Sequence, residues 1–233
     1  MRDLRDVRPI AALDDRLRRR IYLFVRSRKA AVTRDDVAGE LGISRKLAAF
    51  HLDKLLDRGL LRAHYARPAG RSGPGAGRTS KMYEPSDLEV DVSIPERHYE
   101  LVGELLVDAI EAETPGESAR EVATRAARDR GFAIGQGVRT AEELGRPGPE
   151  RTFTAALGVL EEHGFEPYRE DHRVRVRNCP FHALAKRAPD LVCEMNRSFV
   201  DGILRGLGNQ NVEAVIERSP GECCVELRRA EPG

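Results

Sequence analysis

The chain has 233 residues, enough for one large or two ordinary domains, and its net charge of +1 conceals a strong asymmetry. Residues 1–84 contain 20 Lys and Arg against 10 Asp and Glu, a net charge of +10, whereas the remainder contains 19 against 28, a net charge of −9. No stretch approaches the roughly 20 apolar residues of a membrane span, and the N-terminus lacks a signal-peptide core. We therefore expect a cytoplasmic protein with a basic, polyanion-binding half and an acidic half.

The first predicted element is a helix over residues 11–28. Its position ahead of two further helices is typical of the support helix of a winged-helix domain. The arginine-rich run at 16–20 either contacts phosphates or forms a solvated face. The apolar residues that recur on one side of this helix are Leu13, Leu17, Ile21, Phe24 and Val25.

Two short helices joined by a tight turn follow. Thr33 can cap the first helix, which has two aspartates in its first turn and ends at Gly42. Ser44 can cap the second helix, residues 45–58, and Gly59 occupies the position of a left-handed C-cap. Such a pair predicts a helix-turn-helix, whose second helix lies in the major groove of DNA. Candidate DNA contacts of this helix are Ser44, Arg45, Lys46, Ala49, Phe50 and Lys54.

A basic hairpin is predicted after the second helix. Residues 60–67 and 81–83 are the expected strands, and a Gly-rich loop over 68–78 joins them. With the preceding helices, this hairpin predicts an N-terminal winged helix-turn-helix domain over residues 1–84; the alternative is a helical hairpin with an unstructured linker. No carboxylate occurs from residue 62 to 81, so four cations suit phosphate or minor-groove contacts: Arg67, Arg71, Arg78 and Lys81.

Residues 85–117 are predicted to form a linker and a dimerisation helix. The linker alternates Val90, Val92 and Ile94, a pattern typical of an edge strand. The helix that starts at Glu96 is apolar over a wider face than one neighbouring domain needs to cover, which favours a homodimer interface. Burial within the same chain is the alternative, because an apolar pattern does not distinguish a partner from the chain itself.

Residues 118–233 are predicted to form a C-terminal α+β sensor domain with antiparallel strands. A helix rich in Ala and Arg begins at Ser118 and is expected to stop at Gly135, and a further helix ends at Gly164. Two later helices are divided near Pro189. Helices followed by antiparallel strands give the α+β fold class. The four predicted strands are 165–170, 173–177, 212–217 and 223–227.

All the cysteines of the chain lie in this C-terminal part: Cys179, Cys193, Cys223 and Cys224. In a reducing compartment they favour metal binding or redox sensing over disulfides. Cys179 precedes a predicted helix start, where free backbone N–H groups favour a thiolate, and His182 follows on the same turn. Side chains alternate along the last strand, so only one of Cys223 and Cys224 faces a buried site. The apolar residues on its face favour Cys223.

The spacing of the cysteines bears on the metal. Without a CxxC pair the chain lacks the short spacings from which a zinc ribbon builds its tetrahedral cage. Dispersed thiolates are typical of an iron–sulfur cluster, whose fourth position can be an imidazole, here His182, or a group from outside the protein. The alternative is that these cysteines are small apolar residues buried in a core.

These segments resemble a known family. The helix-turn-helix with its GRSGPGAGR loop, and the segments NCPFHALA, LVCEMNRSFVDGILRGLG and CCVEL, are similar to ArsR-related winged-helix regulators that include the SufR-type iron–sulfur repressors. The resemblance implies that Cys179, Cys193 and one of Cys223 or Cys224 hold a [2Fe-2S] or [4Fe-4S] cluster, and that the holo dimer represses transcription. His182 and the doubled cysteine depart from the family pattern and leave the fourth ligand open.

The predicted function is a homodimeric repressor of a double-stranded DNA operator, controlled by the cluster. The alternative is a winged-helix regulator that senses a small apolar ligand or zinc and has structural cysteines. An enzyme would use Cys179 as nucleophile and His182 as base. The sequence offers no obvious orienting carboxylate and no Walker, GxSxG or HExxH motif, so we expect no catalytic activity.

Overall fold

The computed structural model describes residues 7–66 and 79–230. The chain divides into two compact units, Arg2–Val92 and Ser93–Gly233. In the described residues each unit combines helices with an antiparallel sheet, which is the mixed helix and sheet content that the sequence predicts. None of the described helices is long and apolar enough to cross a membrane.

The first unit places its helices before most of its strands. Its sheet has the order β1-β3-β2, and both pairs are antiparallel, with Ala63 opposite Tyr83 in the register of β2 and β3. The predicted loop over residues 68–78 and the cation Arg67 lie outside the described residues. The described elements are α1 (Val7–Ala12), α2 (Arg16–Ser27), β1 (Val32–Thr33), α3 (Arg34–Leu41), α4 (Arg45–Asp57), β2 (Leu61–Ala66) and β3 (Ser80–Pro85).

Side-chain caps fix where these helices begin. The predicted caps are confirmed: the Thr33 hydroxyl accepts the Asp36 backbone N–H in a reciprocal capping box, and the Ser44 hydroxyl accepts the Leu47 N–H. The single helix predicted over residues 11–28 is wrong, because Asp15 caps a new helix at Arg16 and so separates α1 from α2.

Two glycines set the chain direction around α4. Gly42 has φ +65° between α3 and α4, and Gly59 has φ +73° directly after α4, as predicted. The turn at Gly42 brings α3 and α4 together over one apolar core shared with α2 and the sheet. The largest fully buried side chains of this core are Ile21, Leu52, Leu55 and Leu61.

The second unit builds a larger core between helices and a four-stranded sheet. The strand order is β4-β5-β7-β6, and every pair is antiparallel. β7 begins at Val225, two residues later than predicted, so the cysteine pair precedes the strand. The elements are α5 (Tyr99–Glu111), α6 (Ala119–Ala141), α7 (Pro149–Glu162), β4 (Pro167–Glu170), β5 (Arg173–Val176), α8 (His182–Arg187), α9 (Pro189–Gly206), β6 (Val212–Ile216) and β7 (Val225–Arg229).

Helices α6 and α9 pack with their backbones in direct contact. A Cβ atom at Gly135 would overlap the carbonyl oxygen of Ile203, and one at Gly202 would overlap the carbonyl oxygen of Arg128. Gly131 and Gly206 meet the facing helix in the same way. The prediction that the helix stops at Gly135 is therefore wrong: α6 continues to Ala141, and its glycines serve close packing instead of termination.

Helix α5 divides its apolar residues between two faces. Val102, Leu105 and Ala109 are buried in the core of the second unit. Leu106 and Ile110 are exposed, Ile110 to 73%. Part of the wide apolar face is thus covered within the chain, the alternative that the sequence left open, and part is not.

Candidate functional site

Two groups of predicted site residues fall in the two units, and the first is the outer face of α4. The inner face is buried through Ala48, His51, Leu52 and Leu55. Helical spacing then directs the remaining side chains outward. Those that are exposed include Arg45, Lys46, Phe50 and Lys54, whereas Ala49 is half-buried. The face therefore combines cations with one exposed aromatic ring.

Phe50 is the apolar centre of this face. Its ring is 53% exposed, and the ammonium of Lys54 lies 5.9 Å from the ring centroid. The His51 ring lies edge-on to the Phe50 ring, with 5.2 Å between the ring centroids. A phenylalanine that is half exposed gains little from burial in the core, so its ring is accessible to a partner.

Two of the predicted DNA-contacting cations already have carboxylate partners. Arg45 lies 3.0 Å from Asp35, but both side chains are exposed, so the ion pair is weak. Lys81 donates to Asp53 at 2.7 Å, and Tyr83 donates to the same oxygen at 3.0 Å. The hydrogen bond to Asp53 raises the pKa of Lys81 and keeps it charged. Lys81 is therefore held on the outside of the sheet beside α4.

The sequence interpretation missed Tyr65. This side chain is 73% exposed on β2 and stands opposite Lys81 in the sheet register. An alternating strand pattern predicts that one face is exposed, but not that an aromatic ring will neighbour the cation there. The predicted cations Arg67, Arg71 and Arg78 lie outside the described residues.

The second group consists of the cysteines. Cys179 lies between β5 and α8, Cys193 lies in α9, and Cys223 and Cys224 lie directly before β7. The first three are buried and Cys224 is half-buried, which agrees with the choice of Cys223 over Cys224 as the inward-facing residue. Cys179 and Cys223 thus lie in one apolar core with Cys224 packed against it, whereas no described contact joins Cys193 to the other three thiols.

Direct contacts join several of these thiols. The thiol of Cys179 hydrogen-bonds the sulfur of Cys223, and Cys223 also contacts Cys224. Asn196, one turn after Cys193 in α9, donates its Nδ2 hydrogen bond to Cys223 at 3.3 Å. The sequence interpretation missed Asn196, because an asparagine at helical spacing carries no sign of what it contacts. Cys223 is the hub of the group.

The electrostatics of the buried thiols differ from the expectation at Cys179. The hydrogen bond to Cys223, together with burial, raises the pKa of Cys179 well above its ordinary value. The Phe181 backbone N–H and the Arg97 charge lower it, as expected near a helix start, but their effect is smaller. The hydrogen bond from Cys179 lowers the pKa of Cys223, yet the Cys224 thiol and burial outweigh it and raise that pKa to about 12. The thiolate expected at Cys179 is therefore wrong, because the raised pKa values of Cys179 and Cys223 favour the neutral thiols.

The backbone N–H of His182 donates to the Cys179 carbonyl at 3.1 Å, but its side chain does not share the burial of the thiols. It is exposed at the first residue of α8, whereas the three inner cysteines are buried. Among the described residues, no group of three or more His, Cys, Asp or Glu side chains already has the arrangement to hold a metal ion. The donor chemistry nevertheless fits a thiophilic metal or an iron–sulfur cluster, because soft thiols converge and the buried Oδ1 of Asn196 has no hydrogen-bond partner.

Two arginines flank the thiols. The guanidinium of Arg218 interacts with the Asp190 carboxylate at 2.7 Å and also with Cys193 and Cys224. On the other side, Arg97 interacts electrostatically with Cys179. Cations at these positions stabilise the negative charge that a cysteine acquires when its thiol loses a proton to bind a metal.

Arg97 also ties the chain before α5 to the Cys179 backbone. Its guanidinium donates to the carbonyl oxygen of Cys179 at 3.3 Å and to the side-chain oxygen of Asn178. Asn178 in turn donates to the carbonyl oxygens of Glu96, at 2.9 Å, and Gly164, at 2.8 Å. The His98 backbone N–H donates to the Pro180 carbonyl at 3.2 Å. Hydrogen bonds thus join residues 96–98 directly to residues 178–180.

Comparison with known proteins adds no relative to these observations. No protein-family profile matches the chain, and no curated protein matches it either.

Proposed function

We propose that this protein is a cytoplasmic, homodimeric, DNA-binding transcriptional repressor with a winged helix-turn-helix in its first unit. The exposed face of α4 carries this proposal, because it presents Lys46, Phe50 and Lys54 on a short helix that follows a tight turn at Gly42. The antiparallel pair of β2 and β3 supports a wing. A recognition helix of this kind enters the major groove, while a basic wing contacts phosphates.

The salt dependence of binding tests the DNA-binding part. Selection from random double-stranded DNA would supply the operator, and affinity would then be measured between 50 and 200 mM salt, where loss of about 10³–10⁵ is typical for 6–10 phosphate contacts. Lys46→Gln should reduce the slope of log K against log salt by about one if Lys46 contacts a phosphate. Lys186→Gln, an exposed lysine of the second unit, is the matched control and should leave the slope unchanged. A flat salt dependence would contradict the proposal.

The uncovered face of α5 supports the homodimer. Tyr99, Leu106 and Ile110 recur along one stripe of this helix and are all exposed. Ile110→Glu should shift the protein to a monomer in analytical ultracentrifugation without unfolding it, because the side chain makes no core contact. Leu23→Glu, at an exposed apolar residue of α2, is the control and should remain dimeric. A dimeric Ile110→Glu variant would exclude this face.

The sensor in the proposal is an iron–sulfur cluster held by Cys179, Cys193 and Cys223, with Cys224 and His182 as further candidate ligands. Buried soft donors, two neighbouring arginines and an orphan amide oxygen support it. A bound cluster would supply one-electron chemistry and sensitivity to oxygen. The protein residues would bind it, exclude water and stabilise the thiolate charge. Operator affinity would change by the free energy with which the cluster distinguishes two conformations.

Anaerobic reconstitution tests the sensor. We expect a brown protein that contains iron and acid-labile sulfide, and loss of both in Cys179→Ser, Cys193→Ser and Cys223→Ser. Cys224→Ser should retain more cluster, since Cys224 is half-buried. If the purified protein contains zinc and no sulfide, the same thiols form a zinc site and not an iron–sulfur cluster. A colourless protein without metal would contradict both.

A further inference from the structure

Asn196 is a buried polar side chain in contact with the cysteine group. It lies in α9, three residues after Cys193, and only 1% of its surface is exposed. Its Nδ2 donates to the sulfur of Cys223 at 3.3 Å. Residues three apart share one side of a helix, so Asn196 links the side of α9 that carries Cys193 to the cysteine before β7.

The other end of the same amide has no partner. Within the described part of the chain, the Oδ1 atom of Asn196 is buried and accepts no hydrogen bond. A buried acceptor without a donor destabilises the fold, whereas leucine has the same branching at Cγ and no polar atom to satisfy. Packing alone therefore does not account for an asparagine here.

We propose that Asn196 is a positioning residue whose amide N–H donates to the Cys223 thiolate when the cysteines hold a cluster. This inference rests on the proposed iron–sulfur function. A hydrogen bond to a ligand sulfur withdraws electron density from it, and a reduced cluster carries one more negative charge than an oxidised one. The bond therefore favours the reduced state and raises the reduction potential.

The same hydrogen bond orients Cys223. Partners of metal ligands hold the ligand in its binding rotamer, and their loss typically weakens metal affinity by about 10–100-fold. Cys223 is the hub that also contacts Cys179 and Cys224, so a change in its orientation would affect the whole donor set. Asn196 should thus slow the loss of the cluster as well as set its potential.

The test compares Asn196→Leu with the wild type and with Ser198→Ala, all as full chains reconstituted anaerobically with iron and sulfide. Ser198 is the matched control, because its hydroxyl is equally buried in α9 and also without a partner, but no described contact joins it to a cysteine. The measurements are the midpoint potential from a redox titration followed by electron paramagnetic resonance, the rate of cluster loss under a chelator, and the thermal midpoint of each apo protein.

We expect Asn196→Leu to have a lower midpoint potential and about 10–100-fold faster cluster loss, with an apo thermal midpoint no lower than that of the wild type. Ser198→Ala should match the wild type in potential and in cluster loss. If the leucine variant does not fold, Asn196→Asp keeps the shape and removes the N–H donor, and it should show the same two changes.

Two results would overturn the inference in different ways. If the wild type holds a cluster and both Asn196 variants match its potential and its rate of cluster loss, Asn196 has no positioning role, while the iron–sulfur function stands. If the wild type takes up neither iron nor sulfide, the iron–sulfur function fails and the inference fails with it.

Discussion

Replacing Gly131 by alanine should destabilise the second unit strongly. The added Cβ would overlap the carbonyl oxygen of Phe199 and lie 3.0 Å from the backbone nitrogen of Ile203. Both neighbours are backbone atoms of α9, so no side chain can rotate away. An ordinary carbon–oxygen contact is about 3.3 Å or longer, so α6 and α9 would have to separate by roughly 1 Å.

The loss of stability can be estimated from the movement of α6 away from α9. Overpacking a core usually costs about 1–3 kcal/mol, and here the helix pair at the centre of the unit moves as a whole, so we expect about 3 kcal/mol. For a unit of this size each kcal/mol lowers the melting temperature by about 2–4 °C. The expected decrease is therefore about 6–12 °C in the transition of the second unit, measured by differential scanning calorimetry.

Gly137→Ala is the control for this prediction. Gly137 lies in the same helix, and a Cβ there would meet nothing within 4 Å. Alanine at an exposed helix position should stabilise by about 0.5–1 kcal/mol. If Gly131→Ala is as stable as Gly137→Ala, the close packing of α6 on α9 is refuted.

Three further predictions concern the first unit. Burial lowers the pKa of His51 despite the nearby Asp15 carboxylate, so as pH falls the unfolded chain takes up the proton at a higher pH than the folded chain. The free energy of unfolding should therefore decrease as pH drops below about 6.5. Urea unfolding at several pH values should show a weaker decrease in His51→Gln. Thr33→Ala removes the capping box of α3 and should cost about 1 kcal/mol in urea unfolding, whereas Thr33→Ser should cost little. Phe50→Ala should change stability by less than about 0.5 kcal/mol, because the ring is largely exposed, but should weaken operator binding by about 1 kcal/mol, or fivefold, in a titration. An unchanged affinity would exclude Phe50 from the proposed DNA-binding face.

The sequence predicts helix caps and turns correctly where they depend on interactions between residues close together in the chain. Thr33 and Ser44 each accept the backbone N–H of the residue three positions later, and Gly42 and Gly59 adopt a positive φ that glycine tolerates without strain. Such effects depend only on neighbouring residues, so α3, α4 and the turns that follow them could be predicted from the sequence, whereas the break between α1 and α2 was not.

The remaining features depend on contacts between distant segments. Gly135 resembles a helix terminator in the sequence, but the carbonyl of Ile203 determines its role. The same holds at the cysteines, since the hydrogen bond between Asn196 and Cys223 joins α9 to the segment before β7. Burial and the neighbouring thiol, which outweigh the helix start at Cys179, also come from the fold.

The hydrogen bonds of Arg97 make the backbone at Cys179 and the stretch entering α5 move as one piece. A displacement of the Cys179 carbonyl must either pull residues 96–98 along or break the bonds from Arg97 and His98. The same stretch continues through Ser93 into the first unit. A displacement at Cys179 is therefore transmitted to the segment that connects the two units, and loss of the Arg97 guanidinium would remove part of this connection.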